Sequence, residues 1–110
     1  MGLALSTSWN AFRYQNAPAL IQEIKSLGFT AIELSFNLTS LMVDEIQRAS
    51  AVEGMRITSV HNFCPIPQGL KRETVLPDYF AVSSPDAEER ARAVEETKRT
   101  IATASRLGAK

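Results

Sequence analysis

One cysteine, one histidine and one tryptophan are all that the chain holds of those three types. A lone Cys64 cannot close an internal disulfide, so the fold must rest on its core, and such usage fits a reducing compartment, hence the cytoplasm. No apolar run approaches the roughly 18 residues that a membrane span needs, and the opening MGLALSTSW is too short for a secretion signal. An excess of either charge is missing too. Twelve basic and twelve acidic residues cancel, which leaves no long-range field to gather nucleic acid or an anionic membrane. Contact with either would have to be local.

What is present fits one small domain. Its 110 residues, 45% of them hydrophobic, can bury a real core. Gly28, in SLGFTAIELS, and Gly54, in VEGMRITSVHN, each follow a helical pattern and precede a β-rich run, the position of a glycine that ends a helix and feeds a strand. Gly108, in RLGAK, repeats the arrangement, so the repeat is cut in mid-unit, where a further strand is expected.

Helical periods fall between these markers. Asn16 and Pro18 open a first helix with Leu20, Ile21, Ile24 and Leu27 along one face, and Thr39 or Ser40 opens a second carrying Met42, Ile46, Ala49 and Val52. Ser84, Pro85 and Asp86 signal a third: the serine as cap, the proline in the first turn, the acid at the positive helix end. Its inner face is expected to be Ala87, Ala91, Val94, Ile101, Ala104 and Leu107. Glu88, Glu89, Arg92, Glu95, Glu96 and Arg99 are expected to form a solvated surface.

Strands are expected near residues 3–8, 31–35 and 57–61. Strand and helix then alternate three times, which implies parallel strands joined by right-handed crossovers and an α/β fold. Residues two apart in a strand share a face. One face collects Ser6, Ser8, Glu33, Ser35, Ser59 and His61; the other collects Leu3, Leu5, Ile32, Leu34, Thr58 and Val60. An open doubly wound sheet, covered by helices on both sides, would want both faces apolar. A barrel tolerates polar residues inside its C-terminal mouth, where (β/α)₈ enzymes keep their active sites.

The runs LSTSW, LGFTAIEL, SVHNFCP and SPDAEERARAVEETKRTIATASRLGA together resemble the first three strand–helix units of the xylose isomerase-like TIM barrels. That superfamily holds sugar phosphate isomerases/epimerases and the endonuclease IV-type enzymes of AP endonuclease family 2. The resemblance covers nearly the whole chain and rests most on the histidine ending the third strand and on the third helix. It implies that residues 1–110 are an incomplete (β/α)₈ TIM barrel, an N-terminal fragment of less than half of a typical barrel of about 250 residues. The activity implied is that of a sugar or sugar-phosphate isomerase/epimerase using divalent-metal-assisted proton transfer. Most ligands for that ion (Mn, Mg, Co or Zn) and the catalytic carboxylates would lie on strands past Lys110. The fragment alone would be inactive, and its partner would be the remaining barrel, in cis or, if naturally split, in trans.

Within this frame His61 is a candidate metal ligand or a proton donor to a sugar oxygen, since imidazole titrates near neutrality and binds divalent ions. The alternative is a hydrogen-bonded structural histidine. Glu33, between Ile32 and Leu34, is a candidate for binding sugar hydroxyls, because a carboxylate there needs a partner or a wet cavity. Asn62 and Phe63 are expected to line the mouth, and Trp9, with Arg13 and Tyr14, to stand on the same side after the first strand. Cys64 lacks an activating base and reads as packing.

Residues 62–83 form a long loop with three prolines and three aromatics, expected to be a lid or rim. Its Lys71 and Arg72 could meet a phosphate. An abasic-site endonuclease is the rival enzyme, sharing the barrel and His61 but needing a DNA surface. A half-barrel subunit or binding module is the non-enzymatic rival.

Overall fold

A computed structural model describes residues 2–110, along which three strands and three helices alternate. β1 is Leu5–Ser6, β2 is Ala31–Leu34 and β3 is Arg56–Val60; α1 is Ala17–Ser26, α2 is Ser40–Glu53 and α3 is Ala87–Leu107. The sheet order β1-β2-β3 follows the chain, both pairings are parallel, and β2 lies in the middle. These are the consecutive strand–helix units that the sequence implies.

Local chemistry sets the helix ends. The Asn16 side chain accepts the Ala19 N–H at the start of α1, and Thr39 Oγ1 accepts the Met42 N–H at the start of α2. Gly54 ends α2 at φ 68° and Gly108 ends α3 at φ 74°, left-handed conformations that cost a residue with a Cβ. Ser84 does not cap α3. Its Oγ instead accepts the Asp86 N–H, and Asp86 caps by accepting the Glu88 N–H, so the helix begins at Ala87.

The core lies between β2 and the first two helices. Ile32 and Leu34 pack with Leu20, Ile21, Ile24, Val43 and Ile46, all fully buried. Leu27 and Val52, expected on the inner faces, are exposed, because the first caps α1 beyond its last turn and the second sits near the end of α2.

The third helix is rotated about its axis from the expectation. Its buried residues are Ala93, Glu96, Thr100 and Thr103, whereas Val94 is 45% and Ile101 63% exposed, and Ala87 and Ala91 are exposed too. At about 100° per residue, the centres of the expected apolar stripe and of the buried stripe lie roughly a third of a turn apart. Of the expected inner face, Leu107 packs against the core and Ala104 is half-buried. Glu96 is buried, contrary to its reading as solvated surface.

The cause is the loop beneath α3. Phe63, Cys64, Pro65 and Pro67 are buried in a segment with no strand or helix, so its backbone polar groups have no ladder to join and need side-chain partners. The polar face of α3 supplies them. Thr100 Oγ1 accepts the Cys64 N–H at 3.0 Å, a Glu96 carboxylate oxygen accepts the Gln68 N–H at 3.4 Å, Arg99 donates to the Ile66 carbonyl and Arg92 to that of Gln68.

Candidate functional site

The strand register builds a polar row. Ser6 pairs with Glu33 and Glu33 with Ser59, so one residue from each strand stands side by side. Ser59 Oγ donates to a Glu33 carboxylate oxygen at 2.7 Å, which gives the half-buried carboxylate a partner and fixes its orientation. The next row down is apolar: Leu5, Ile32 and Ile57.

A register shift between Ile32 and Glu33 makes both rows possible. Ile57 pairs with Ile32 and Ser59 with Glu33, so Thr58 is the extra residue of a bulge, and its Oγ1 donates to the Ile32 carbonyl at 3.1 Å. Simple alternation would put Thr58 in the apolar row. The bulge gives that place to Ile57, which is buried in the core.

Two serines expected in the polar row are elsewhere. Ser6 Oγ accepts the Ser8 N–H and caps a 3₁₀ turn over Thr7–Trp9, which ends β1 early and takes Ser8 out of the sheet. Ser35 is buried. Its N–H donates to Thr7 Oγ1 at 2.9 Å, Thr7 Oγ1 donates to Ser35 Oγ at 2.9 Å, and Ser35 Oγ donates to Asn37 Oδ1 at 2.5 Å. This chain locks the ends of β1 and β2 together just above the row. Thr7→Val removes a hydroxyl that both donates and accepts inside it, and is expected to cost about 1–3 kcal/mol of stability. Thr7→Ser should be close to neutral; chemical denaturation of the two variants reads the difference.

His61 follows β3 and is exposed, with its N–H donating to the Leu34 carbonyl at 2.7 Å. Its Nδ1 lies 2.6 Å from the Asn62 carbonyl oxygen. A carbonyl can only accept, so Nδ1 carries a proton, and Nε2 is the ring nitrogen left without a partner. Phe36 flanks the ring at 5.6 Å. Asn62 turns toward α3, its Nδ2 donating to Thr97 Oγ1 at 3.0 Å, and Phe63 is buried with its ring edge-on to Phe80. The structure therefore brings Ser6, Glu33 and Ser59 together, with His61 just past the end of β3, and leads Asn62 and Phe63 away to the α3 side.

Trp9 is 45% exposed and stacks under the Arg13 guanidinium, 4.9 Å from the ring centroid. Arg13 is not a free cation: both its terminal nitrogens donate to the Glu23 carboxylate, at 3.0 and 2.8 Å. The hydrogen bond from Asn10 is the leading cause that holds the Glu23 carboxyl below its usual range, ahead of those from Arg13 and Tyr14 and against the opposing effect of burial. Burial, followed by the Glu23 carboxylate, pushes the Tyr14 hydroxyl up. Cys64 is buried in the core cluster, and burial pushes its thiol up to about 12, against the lowering effect of Arg106 and Arg99. It is packing, with no thiolate to offer near neutral pH.

Arg72 is committed as well. It donates from Nε to the Asn37 carbonyl at 2.9 Å, from one terminal nitrogen to the Tyr14 carbonyl at 2.8 Å, and from the other to the Ala11 carbonyl. Sequence reasoning saw a cation for phosphate here. Partners 35 to 61 positions away in the chain leave no local signal.

Among the described residues, no group of three or more His, Cys, Asp or Glu side chains could hold a metal ion. His61 Nε2 is chemically suited as one ligand, and Glu33 is already tied to Ser59. These residues do not make a metal site by themselves. A surface groove of about 470 Å³ between α1 and α2, lined by Pro18, Gln22, Glu45, Arg48 and Val52 among others, shares no residue with the polar row. No described helix is long and apolar enough to cross a membrane.

Parallel strand–helix units with a polar row near the carboxyl ends of the strands define a segment of an α/β barrel. Residues 21–110 match the family described as xylose isomerase-like TIM barrel, and the chain belongs to that family. The family typically includes isomerases/epimerases and endonucleases. No curated protein and no solved structure matches the chain.

Proposed function

We propose that the protein is a sugar isomerase or epimerase, and that the row Ser6–Glu33–Ser59 with the free Nε2 of His61 is its contribution to the substrate site. The observation that supports this most is the Ser59-to-Glu33 hydrogen bond at 2.7 Å. It holds one carboxylate oxygen and leaves the other to accept from a sugar hydroxyl, while the Ser6 and Ser59 oxygens, whose protons go to Ser8 and Glu33, add further acceptors for a polyol. Trp9 offers an exposed ring face for the apolar C–H side of a sugar.

The reaction removes a proton from carbon next to a carbonyl and returns it to the neighbouring carbon or to the opposite face. His61, open at Nε2, can take or return a proton at a sugar oxygen. Glu33 orients the hydroxyls. A divalent ion, if bound with most of its ligands from elsewhere, would stabilise negative charge on the substrate oxygens. The ligand we assign is an uncharged sugar rather than a phosphate ester, because Glu33 repels phosphate and the donors of Arg13 and Arg72 are engaged. We assign it to the cytoplasm, on the single buried cysteine.

Saturation-transfer NMR against a panel of aldoses and ketoses is the direct test of binding. Glu33→Gln is expected to weaken it about 10- to 100-fold, the effect of a lost hydrogen bond to a charged group, and His61→Ala about 3- to 10-fold, that of an ordinary hydrogen bond. Turnover, expected only with the remaining barrel present, is read in D₂O as deuterium entering the carbon next to the carbonyl, with a metal-stripped control. Cleavage of DNA at abasic sites without sugar turnover would overturn the proposal in favour of an endonuclease. A folded protein that binds neither ligand would favour a non-enzymatic barrel subunit.

A further inference from the structure

Among the described residues, Arg72 is the one side chain that hydrogen-bonds to the backbone of two other strand–helix connections. It belongs to the β3–α3 loop. Its carbonyl partners are Ala11 and Tyr14, between β1 and α1, and Asn37, between β2 and α2. Ala11 and Asn37 are also held from inside: Ala11 is fully buried, and the Asn37 side chain closes the Thr7–Ser35 chain of hydrogen bonds. A second tie runs parallel to it, from the Ile66 N–H to the Leu38 carbonyl at 2.9 Å.

We propose that Arg72 is the positioning residue of the mouth: its guanidinium fixes the Trp9–Tyr14 segment against the Asn37 loop, and so determines where the Trp9 ring stands relative to the polar row. The loop around it is thereby a fixed wall and not a moving lid. Three carbonyls at different angles need a planar fork of donors, which guanidinium provides and a single ammonium does not. Arg72 acts through Trp9 and touches no ligand. The proposal rests on the sugar-site reading only for its effect on affinity; its effect on Trp9 needs no ligand.

Trp9 is the chain's single tryptophan, so its fluorescence reports this segment alone. Arg72→Ala and Arg72→Lys are each expected to raise acrylamide quenching of Trp9 at least about two-fold, with helical circular dichroism retained. Added guanidinium ion at millimolar concentration is expected to reverse the change in Arg72→Ala. Lys71→Ala, next door, should leave quenching as it is. With a sugar that binds, the Arg72 variants should weaken its affinity about tenfold.

Unchanged quenching in a folded Arg72→Ala overturns the proposal. So does loss of helical signal in both Arg72 variants, which would make Arg72 a determinant of the whole fold. If the quenching result holds and no sugar binds, the clamp stands and the sugar reading falls.

Discussion

Ile32→Ala is expected to lower the free energy of unfolding by about 2–5 kcal/mol, while Ile101→Ala should change it by no more than about 0.5 kcal/mol. The chemistry of the two substitutions is the same, and both isoleucines fall on apolar stripes of the sequence. Ile32 is fully buried in the central strand, where truncation leaves a cavity between β2 and two helices; Ile101 is 63% exposed on α3. Thr100, one residue before, should matter more than its larger neighbour. Thr100→Val takes the acceptor from the buried Cys64 N–H, and an unpartnered buried donor costs about 1–3 kcal/mol. Urea denaturation of the three variants gives the order Ile32, Thr100, Ile101. An Ile101→Ala cost close to that of Ile32→Ala would mean that α3 is rotated by roughly a third of a turn from the orientation described above.

Raising the pH should weaken the fold through Cys64. Its thiol is pushed up to about 12 from the 9.0 of an ordinary cysteine, burial being the leading cause. A neutral form favoured by folding adds stability that is fully present below the unfolded pKa. That stability is lost as the thiolate forms in the unfolded chain, from pH 9 up to the folded value. The slope is about 1.4 kcal/mol per pH unit, or about 4 kcal/mol over the window. Tyr14 shifts upward as well, so the measurement is a difference. Denaturation from pH 8 to 11 should show a shallower decline in Cys64→Ala than in the parent. Ellman's reagent should label the parent at pH 8 only on unfolding. Rapid labelling of the native protein, or equal slopes for the two proteins, would refute the burial argument.

Much of the fold is legible in the residues themselves. Asn16 and Thr39 cap the helices they were expected to open, Gly54 and Gly108 sit in the left-handed conformations that end α2 and α3, and the alternating strand–helix order yields a parallel sheet. Each of these is a local effect. A capping oxygen reaches a backbone N–H two or three residues away, and a glycine at a helix end needs nothing distant.

The site was legible in outline, and the departures have one physical source. Alternation put Glu33 and Ser59 on one face, and their pairing puts them within hydrogen-bonding distance. It could not foresee the bulge at Thr58, nor that Ser6 would cap a turn and withdraw Ser8 from the strand. Arg72 and Arg13 look like free cations in the sequence because their partners lie in other connections or on α1. Asn62 follows His61 in the chain, yet its side chain answers to Thr97 on α3.

By itself, the sequence determined the order of strands and helices, the caps of α1 and α2, which face of β2 is polar, and the family to which the chain belongs, because these depend on periodicity, caps and motif. Tertiary structure alone decided which side of α3 is buried, which serines stay in the polar row, and which arginines are spoken for. A buried backbone without a ladder must find its partners wherever the fold brings them, and the Cys64–Gln68 segment drew the polar side of α3 inward, leaving Val94 and Ile101 outside.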